Sequence, residues 1–163
     1  MRVVSDTSPL SNLAIIGRLE LLKRRYGEVL IPPVVGRELA ALSHVEGKAA
    51  IEEALANGWL KVHAMPEGQP LVANLDPGEE EAIRLWRDLP ADKLILDDSL
   101  ARQAARALGA RMTGLLGELV HAKRRGHVAM VSDEIHRLRK EARFFVSREI
   151  ELIVLAEAGE LPR

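Results

Sequence analysis

The stretch Arg2-Val-Val-Ser-Asp6-Thr-Ser-Pro-Leu10 predicts a short buried strand that leads directly into a helix. Val3 and Val4 are β-branched and open an apolar run. Ser8-Pro9 indicates a helix start, with the Ser8 hydroxyl as N-cap and proline at the first helical position. Asp6 lies at this junction, where open α/β sheets bind ligands beyond the carboxyl ends of their strands. An aspartate here can equally be only a turn former, so this stretch leaves both roles open.

A second junction of the same kind lies near the middle of the chain. Lys93-Leu-Ile-Leu96 reads as a buried strand, Asp97-Asp98 follows it, and a helix is expected over residues 99–108. One aspartate is expected to be the N-cap of that helix, which leaves the other for a cleft. Adjacent carboxylates also raise each other's pKa unless a cation relieves them.

Strand-like and helix-like segments alternate along most of the chain. The expected strands cover residues 28–31, 59–62, 93–96 and 110–113 in addition to the first one. The expected helices are two short ones separated near Gly17, then 33–43, 47–57, 77–87, 99–108, 118–125, 132–142 and 147–158, with Ser132 and Ser147 as caps of the last two. Residues 114–117 are expected to form a turn, and residues 128–131 an extended piece. Strands alternating with helices predict an α/β fold with a parallel, doubly wound sheet.

The bulk composition fits a single domain over residues 1–163, with the late helices (about 132–158) packed on it or used for dimerisation. No run approaches the ~20 apolar residues of a membrane helix, and no basic-then-apolar export signal opens the chain. The chain has no cysteine, which excludes disulfides and thiolate metal sites. We therefore expect a cytoplasmic protein. The net charge of −1 argues mildly against tight nonspecific nucleic-acid binding.

Glu38 interrupts the apolar face of the helix expected over residues 33–43. It follows Val34 by four positions and precedes Leu42 by four, so its side chain projects from the apolar stripe. A lone buried carboxylate is prohibitively costly. Glu38 therefore needs a cation, a metal or a polar cleft, unless it lies at the edge of the stripe and reaches water.

The sequence Asp76-Pro77-Gly78-Glu79 is a strong helix start. Asp76 is expected as N-cap, Pro77 at the first helical position and Glu79 as the return partner of a capping box. This capping arrangement accounts for both acids without a catalytic or metal-binding role, although Glu79 could also belong to a functional site.

Asp6, Glu38 and the Asp97/Asp98 pair come from separate elements and could meet above one edge of the sheet. Carboxylates without cysteine or a metal-binding histidine set favour hard cations, Mg²⁺ or Mn²⁺. Such ions bind phosphate oxygens and activate water for phosphoryl displacement. The five histidines show no zinc spacing and are expected at the surface or an interface. They are His44, His63, His121, His127 and His136.

At the level of motifs the chain resembles PIN-like proteins of prokaryotes, over nearly its whole length. The motifs are Val-Val-Ser-Asp6-Thr-Ser-Pro-Leu, Ile31-Pro-Pro-Val-Val-Gly-Arg-Glu38-Leu, Leu75-Asp-Pro-Gly-Glu79-Glu-Glu-Ala-Ile, Leu96-Asp-Asp-Ser-Leu-Ala-Arg-Gln-Ala-Ala-Arg-Ala-Leu-Gly109 and Thr113-Gly-Leu-Leu-Gly117. The resemblance implies a three-layer α/β/α fold with a central parallel sheet, and a relation to the VapC-type toxin ribonucleases of toxin–antitoxin pairs.

The resemblance also implies roles for particular residues. Asp6, Glu38 and Asp98 (or Asp97) would be the catalytic residues and metal ligands, and Ser8 would orient Asp6 or a metal-bound water. An Mg²⁺- or Mn²⁺-dependent endoribonuclease would have RNA as its substrate, a small antitoxin as its partner and a homodimer as its assembly. Arg102 and Arg106, which share a helix face, could contact RNA phosphates, although a solvated basic face is the more usual explanation.

The chain departs from the family pattern after its last strand. Typical PIN nucleases place an acid near the threonine there, whereas Thr113 is followed by Gly114 and two leucines, with no carboxylate before Glu118. Glu79 or the second aspartate could compensate, one ion could suffice, or the activity could be lost. The alternative to a nuclease is therefore a PIN-like binding module that acts through protein or RNA partners. A receiver-like phosphoryl-transfer domain would need a lysine past a late strand, and none is convincing.

Overall fold

The structure, a computed structural model, describes residues 1–161 and contains one parallel sheet in that range. Its strands are β1 (Val3–Ser5), β2 (Val29–Ile31), β3 (Leu60–Val62), β4 (Lys93–Ile95) and β5 (Met112–Thr113). Their order across the sheet is β3-β2-β1-β4-β5, and every neighbouring pair is parallel. Val4 is in register with Leu30 on one side and with Leu94 on the other. The predicted α/β class with a central parallel sheet is confirmed.

Helices cover both faces of this sheet. They are α1 (Thr7–Ile15), α2 (Glu20–Tyr26), α3 (Pro33–Ala40), α4 (Val45–Ala56), α5 (Pro77–Asp88), α6 (Ser99–Ala107), α7 (Leu115–Arg124), α8 (Val131–Glu141) and α9 (Arg148–Glu157). No helix in residues 1–161 is long and apolar enough to cross a bilayer.

Alternate residues of each strand divide the core into two parts, because successive side chains of a strand point to opposite faces. Val3 and Ile95 face a large cluster that packs against α1–α4 and α7–α9. Val4 and Leu94 face a smaller cluster under α5 and α6. The result is a three-layer α/β/α arrangement in which all the strands end at the same edge of the sheet.

Several expected helix boundaries are wrong, and long-range contacts explain most of them. The N-cap of α1 is Asp6 rather than Ser8, and Pro9 occupies the third helical position, where its missing N–H also has no intrahelical partner. Helix α7 begins at Leu115, inside the expected 114–117 turn, because the Asp97 carboxylate accepts a hydrogen bond from the Leu115 amide at 2.8 Å.

The expected cap at Ser132 is also wrong. The expected extended piece at residues 128–131 is one residue too long, because Val131 is already helical whereas the backbone of Met130 is extended. Helix α8 starts at Val131, and the Glu160 carboxylate accepts hydrogen bonds from the amides of Val131 and Ser132 at 2.7 and 2.9 Å. The break near Gly17 and the cap at Ser147 are confirmed, as is the expectation that one of the two adjacent aspartates caps α6, which is Asp98.

Candidate functional site

The order of the sheet reverses direction between β1 and β4, and a cavity opens at this point. Asp6 directly follows β1, and Asp97 lies two residues beyond the end of β4. The Asp6 amide donates to the carbonyl of Ile95 at 3.1 Å, which ties the two strand ends together. A crevice beyond the carboxyl ends of the strands at such a switch point is where doubly wound sheets bind ligands. The cavity has a volume of about 1080 Å³.

Six carboxylates line this one cavity, from four different segments of the chain. They are Asp6, Glu38, Asp76, Glu79, Asp97 and Asp98. Ser8, Thr113 and Arg102, also proposed from the sequence, line it too, whereas Arg106 is exposed and is not among the lining residues. None of the five histidines lines it. All the acids expected to converge therefore do so.

Gly78, the second residue of α5, fits between two of these carboxylates. A methyl group at its Cα would lie 2.7 Å from Oε1 of Glu38 and 3.1 Å from Oδ1 of Asp6. Both carboxylates therefore flank one point, although Asp6 is only 5% exposed and Glu38 is exposed at the rim. The Thr7 hydroxyl donates to Oε2 of Glu38 and orients it. Neither Thr7 nor Gly78 is expected from the sequence alone to contribute to the site.

Asp97 and Asp98 have different environments. Oδ2 of Asp98 accepts the hydrogen bond of the Ala101 amide at 2.9 Å, so Asp98 is the N-cap of α6, and it is exposed. Oδ1 of Asp97 accepts from the Leu115 amide, while its Oδ2 is buried without any hydrogen-bond partner. Of the pair, Asp97 presents the unused, buried oxygen to the cavity.

Glu79 belongs to the site rather than to a capping box. Among the residues that the structure describes, no side chain, Asp76 included, caps α5. Glu79 is 8% exposed, and its Oε2 is buried without a hydrogen-bond partner in the same range. Its position precedes the buried Ala82 by three residues and the buried Ile83 by four, which places it on the inward face of the helix. That spacing is visible in the sequence, but the capping pattern offered a competing explanation.

Three carboxylates of the cavity, those of Asp6, Glu79 and Asp97, have raised pKa values. Burial, followed by the negative charges of Glu38 and Asp97, raises the pKa of Asp6 to about 6, although the Thr7 amide opposes the rise. Burial and the closeness of Asp76, with the charges of Asp98 and Asp6, raise the pKa of Glu79 to about 8. Burial also raises the pKa of Asp97. None of the six carboxylates forms a salt bridge within residues 1–161.

This donor set has the chemistry of a hard-cation site. Oxygen ligands are those that Mg²⁺ and Mn²⁺ prefer, and two buried oxygens, Oε2 of Glu79 and Oδ2 of Asp97, have no partner. In the part of the chain that the structure describes, no three acidic or histidine side chains already lie close enough together to hold a metal ion. A cation drawing the carboxylates together would offset the repulsion that raises their pKa values.

Polar groups other than carboxylates complete the cavity wall. Nη1 of Arg102 donates to the carbonyl of Leu96 at 2.7 Å, which fixes the guanidinium beside Asp97. The Ser8 hydroxyl accepts a hydrogen bond from Nδ2 of the Asn12 side chain at 3.2 Å. Thr113 is half-buried at the end of β5. Arg102 is thus the one cationic side chain among the lining residues.

Glu118 does not supply the acid that the last strand lacks. Its carboxylate is 2% exposed, pairs with Arg25 at 2.9 Å and accepts a hydrogen bond from the Tyr26 hydroxyl. It lines a second cavity of about 360 Å³ and not the one that holds Asp6. Glu79 therefore stands as the additional acid of the carboxylate cavity.

Comparisons with known proteins agree with this architecture. The model of the family DUF3368, described as a PIN domain, matches residues 2–160. No curated protein matches the sequence. Among solved structures, a PilT N-terminus domain protein from the hyperthermophilic archaeon Sulfolobus solfataricus P2 is similar, with 25% identity and a TM-score of 0.57. The match covers 75% of this chain and 93% of that one. The chain therefore belongs to the PIN-domain family, whose members are generally metal-dependent nucleases.

Proposed function

We propose that this protein is an Mg²⁺- or Mn²⁺-dependent endoribonuclease of the PIN type. The observation that carries the proposal is the cavity at the β1/β4 switch point, where six carboxylates converge and none forms a salt bridge with another of residues 1–161. Repulsion and burial make this arrangement costly, because they favour the neutral form of groups that are normally charged. A divalent ion removes that cost, and carboxylates are its usual ligands.

Asp6, Glu38, Glu79 and Asp97 would hold the ion, with Asp98 at the rim. Once bound, the ion supplies charge neutralisation at the phosphodiester and a water of lowered pKa. The protein itself positions the ligands: Thr7 holds Glu38, and the Leu115 amide holds Asp97. Gly78 lets α5 approach Asp6 and Glu38 closely enough to bring Glu79 to the same cavity.

Arg102 would bind a phosphate of the substrate next to the ion. Among residues 1–161 it is the only cationic side chain on the cavity wall, and its hydrogen bond to Leu96 leaves other guanidinium N–H groups to donate. Arg106 is exposed on the same helix and outside the cavity, so its contribution would be limited to the electrostatic attraction of the strand.

The direct test is a cleavage assay on single-stranded RNA with Mg²⁺, Mn²⁺ or EDTA. We expect cleavage with either ion and none with EDTA, and we expect Asp6→Asn to lower the rate at least about 100-fold, because it removes a ligand charge from the centre. Cleavage by Asp6→Asn at the parental rate would refute the assignment of the site.

The biological setting is part of the proposal. The sequence motifs favour a cytoplasmic toxin restrained by a small antitoxin, and the exposed Leu152 and Ile153 of α9 lie outside the cavity, where a second copy could cover them. Co-expression with the product of a small adjacent reading frame tests the antitoxin. Light scattering tests the homodimer, and Ile153→Asp should convert a dimer to a monomer.

A second candidate is a binding module that no longer cleaves. Two observations favour it: no carboxylate follows Thr113 before Glu118, and the carboxylates of residues 1–161 include no ready group of three metal ligands. Calorimetric titration with Mn²⁺ separates the two candidates. A nuclease should bind the ion in a manner that depends on Asp6, whereas an inactive module should not.

A further inference from the structure

The carboxylate cavity has a second wall that the metal site does not use. Phe144, Phe145, Ile150 and Val154 form this apolar wall, in the loop before α9 and on the first turns of that helix. The chain has only two phenylalanines, and both are here. Phe144 packs against the core, whereas Phe145 is 85% exposed.

The backbone on either side of Phe145 is fixed, so its exposure is not a consequence of a loose loop. The Phe144 amide donates to the carbonyl of Leu138 at 3.1 Å. Nη2 of Arg139 donates to the carbonyl of Val146 at 3.0 Å and to the carboxylate of Glu151 at 2.7 Å. A large aromatic ring is thus held at the mouth of the cavity with its faces available.

The two walls of the cavity match the two halves of a nucleotide. One wall carries the carboxylates that would meet a phosphodiester through a divalent ion, together with Arg102. The other wall is aromatic and aliphatic, like the surfaces on which nucleobases stack in single-stranded nucleic-acid complexes. Leu152 and Ile153 are exposed on the same helix but do not line the cavity, which separates them from this wall.

We propose that Phe145 is a stacking platform for the nucleobase next to the phosphodiester that enters the carboxylate cavity. The ring positions the substrate and takes no part in bond cleavage. This role rests on the proposed nuclease function for its substrate, but it makes a separate prediction about binding. Stacking tolerates any base and requires an aromatic ring at position 145 rather than a merely apolar side chain.

The test compares Phe145→Ala, Phe145→Leu and Phe145→Trp with the parent and with the matched control Leu152→Ala. Anisotropy of a labelled single-stranded RNA of about ten nucleotides, with Ca²⁺ in place of Mg²⁺, gives the Kd. Steady-state cleavage with Mg²⁺ gives kcat and KM separately. 2-Aminopurine placed at successive positions in the RNA reports which base is stacked.

We expect Phe145→Ala and Phe145→Leu to raise the Kd and KM between about 5-fold and 100-fold with a smaller change in kcat. Phe145→Trp should restore binding, and Leu152→Ala should bind like the parent. One 2-aminopurine position should be quenched by the parent and not by Phe145→Ala.

If the parent cleaves RNA and Phe145→Ala binds RNA with the same Kd as the parent, the role of Phe145 is overturned and the nuclease proposal is unaffected. The role of Phe145 would also be overturned if Phe145→Leu bound RNA as tightly as Phe145→Trp. Loss of dimer mass in Phe145→Ala by light scattering would assign the ring to contact with a second copy instead. If the parent bound RNA neither with Ca²⁺ nor with Mg²⁺, both proposals would be overturned.

Discussion

Asp97 and Asp98 are adjacent and chemically identical, yet their carboxylates have different partners. Asp98 caps α6 through the Ala101 amide and is exposed, whereas Asp97 keeps one buried oxygen without a partner. The sequence could predict that one of the two would cap the helix. It could not predict that the Asp97 carboxylate would accept a hydrogen bond from the Leu115 amide, because that contact depends on the packing of α7.

Asparagine substitutions of this pair should separate capping from metal binding. Asparagine caps a helix about as well as aspartate, so Asp98→Asn should retain its fold and most of its activity. Asp97→Asn removes a buried ligand charge, and we expect its cleavage rate to fall at least about 100-fold. Rates measured with Mn²⁺ and thermal unfolding of both variants check this. A larger loss in Asp98→Asn than in Asp97→Asn would reverse the assignment.

Glu79 should make the metal-free protein less stable as the pH rises. Its pKa is about 8 in the folded state against 4.5 ordinarily, so between these values the folded state binds more protons than the unfolded state. The free energy of unfolding therefore falls as pH rises through that range. Asp6 acts in the same direction between pH 3.8 and about 6.

Glu79→Gln removes the buried charge and should raise the free energy of unfolding by roughly 1–3 kcal/mol at about pH 9 in EDTA. The effect should disappear near pH 4, where both states carry a neutral side chain. Urea denaturation at several pH values measures it, with the exposed Glu53→Gln of α4 as control. A destabilised Glu79→Gln variant at high pH would contradict the assigned environment.

At the scale of elements, the first turn of α5 has a double role. Pro77 starts the helix as the sequence predicts. In the same turn, Gly78 lies against Glu38 and Asp6, and Glu79 lines the cavity. The local sequence pattern of a capping box is the same whether Glu79 turns back to the backbone or inward. Only the packing of α5 against α3 and β1, which are distant in sequence, decides between the two.

Gly78→Ala should weaken metal binding without weakening the fold. Alanine favours a helix over glycine by about 1 kcal/mol, and the exposed Glu38 can move away from the new methyl group. The methyl would nevertheless occupy the space between Glu38 and Asp6, so we expect Mn²⁺ affinity to fall at least about 10-fold. Calorimetry and thermal unfolding measure the two effects. Gly36→Ala in α3, which would meet Val62 instead, is the control, and equal affinities in the two variants would contradict the prediction.

At the scale of the whole molecule, the alternation of strand-like and helix-like segments was sufficient to predict the α/β class with a parallel sheet. The central strands β1, β2 and β4 are short and mostly apolar, and the helices between strands set the parallel pairing that brings Asp6 and Asp97 to one edge. Contacts between distant residues were not predictable in this way. Glu160 caps α8 from 29 and 28 residues away, and Glu118 is bound by Arg25 and Tyr26 from α2. A single sequence shows the period of an element but not the partner of a long polar side chain.

Carboxylates more than ninety residues apart in sequence should form one divalent-metal centre in this protein. Anomalous difference density from crystals of the parent protein grown with Mn²⁺ measures this. We expect a peak in the cavity with carboxylate oxygens of Asp6 and Asp97 within about 2.5 Å of the ion, and Glu79 or Glu38 adjoining it. A peak bound outside this cavity, or none within it at saturating Mn²⁺, would show that these carboxylates do not form a metal centre.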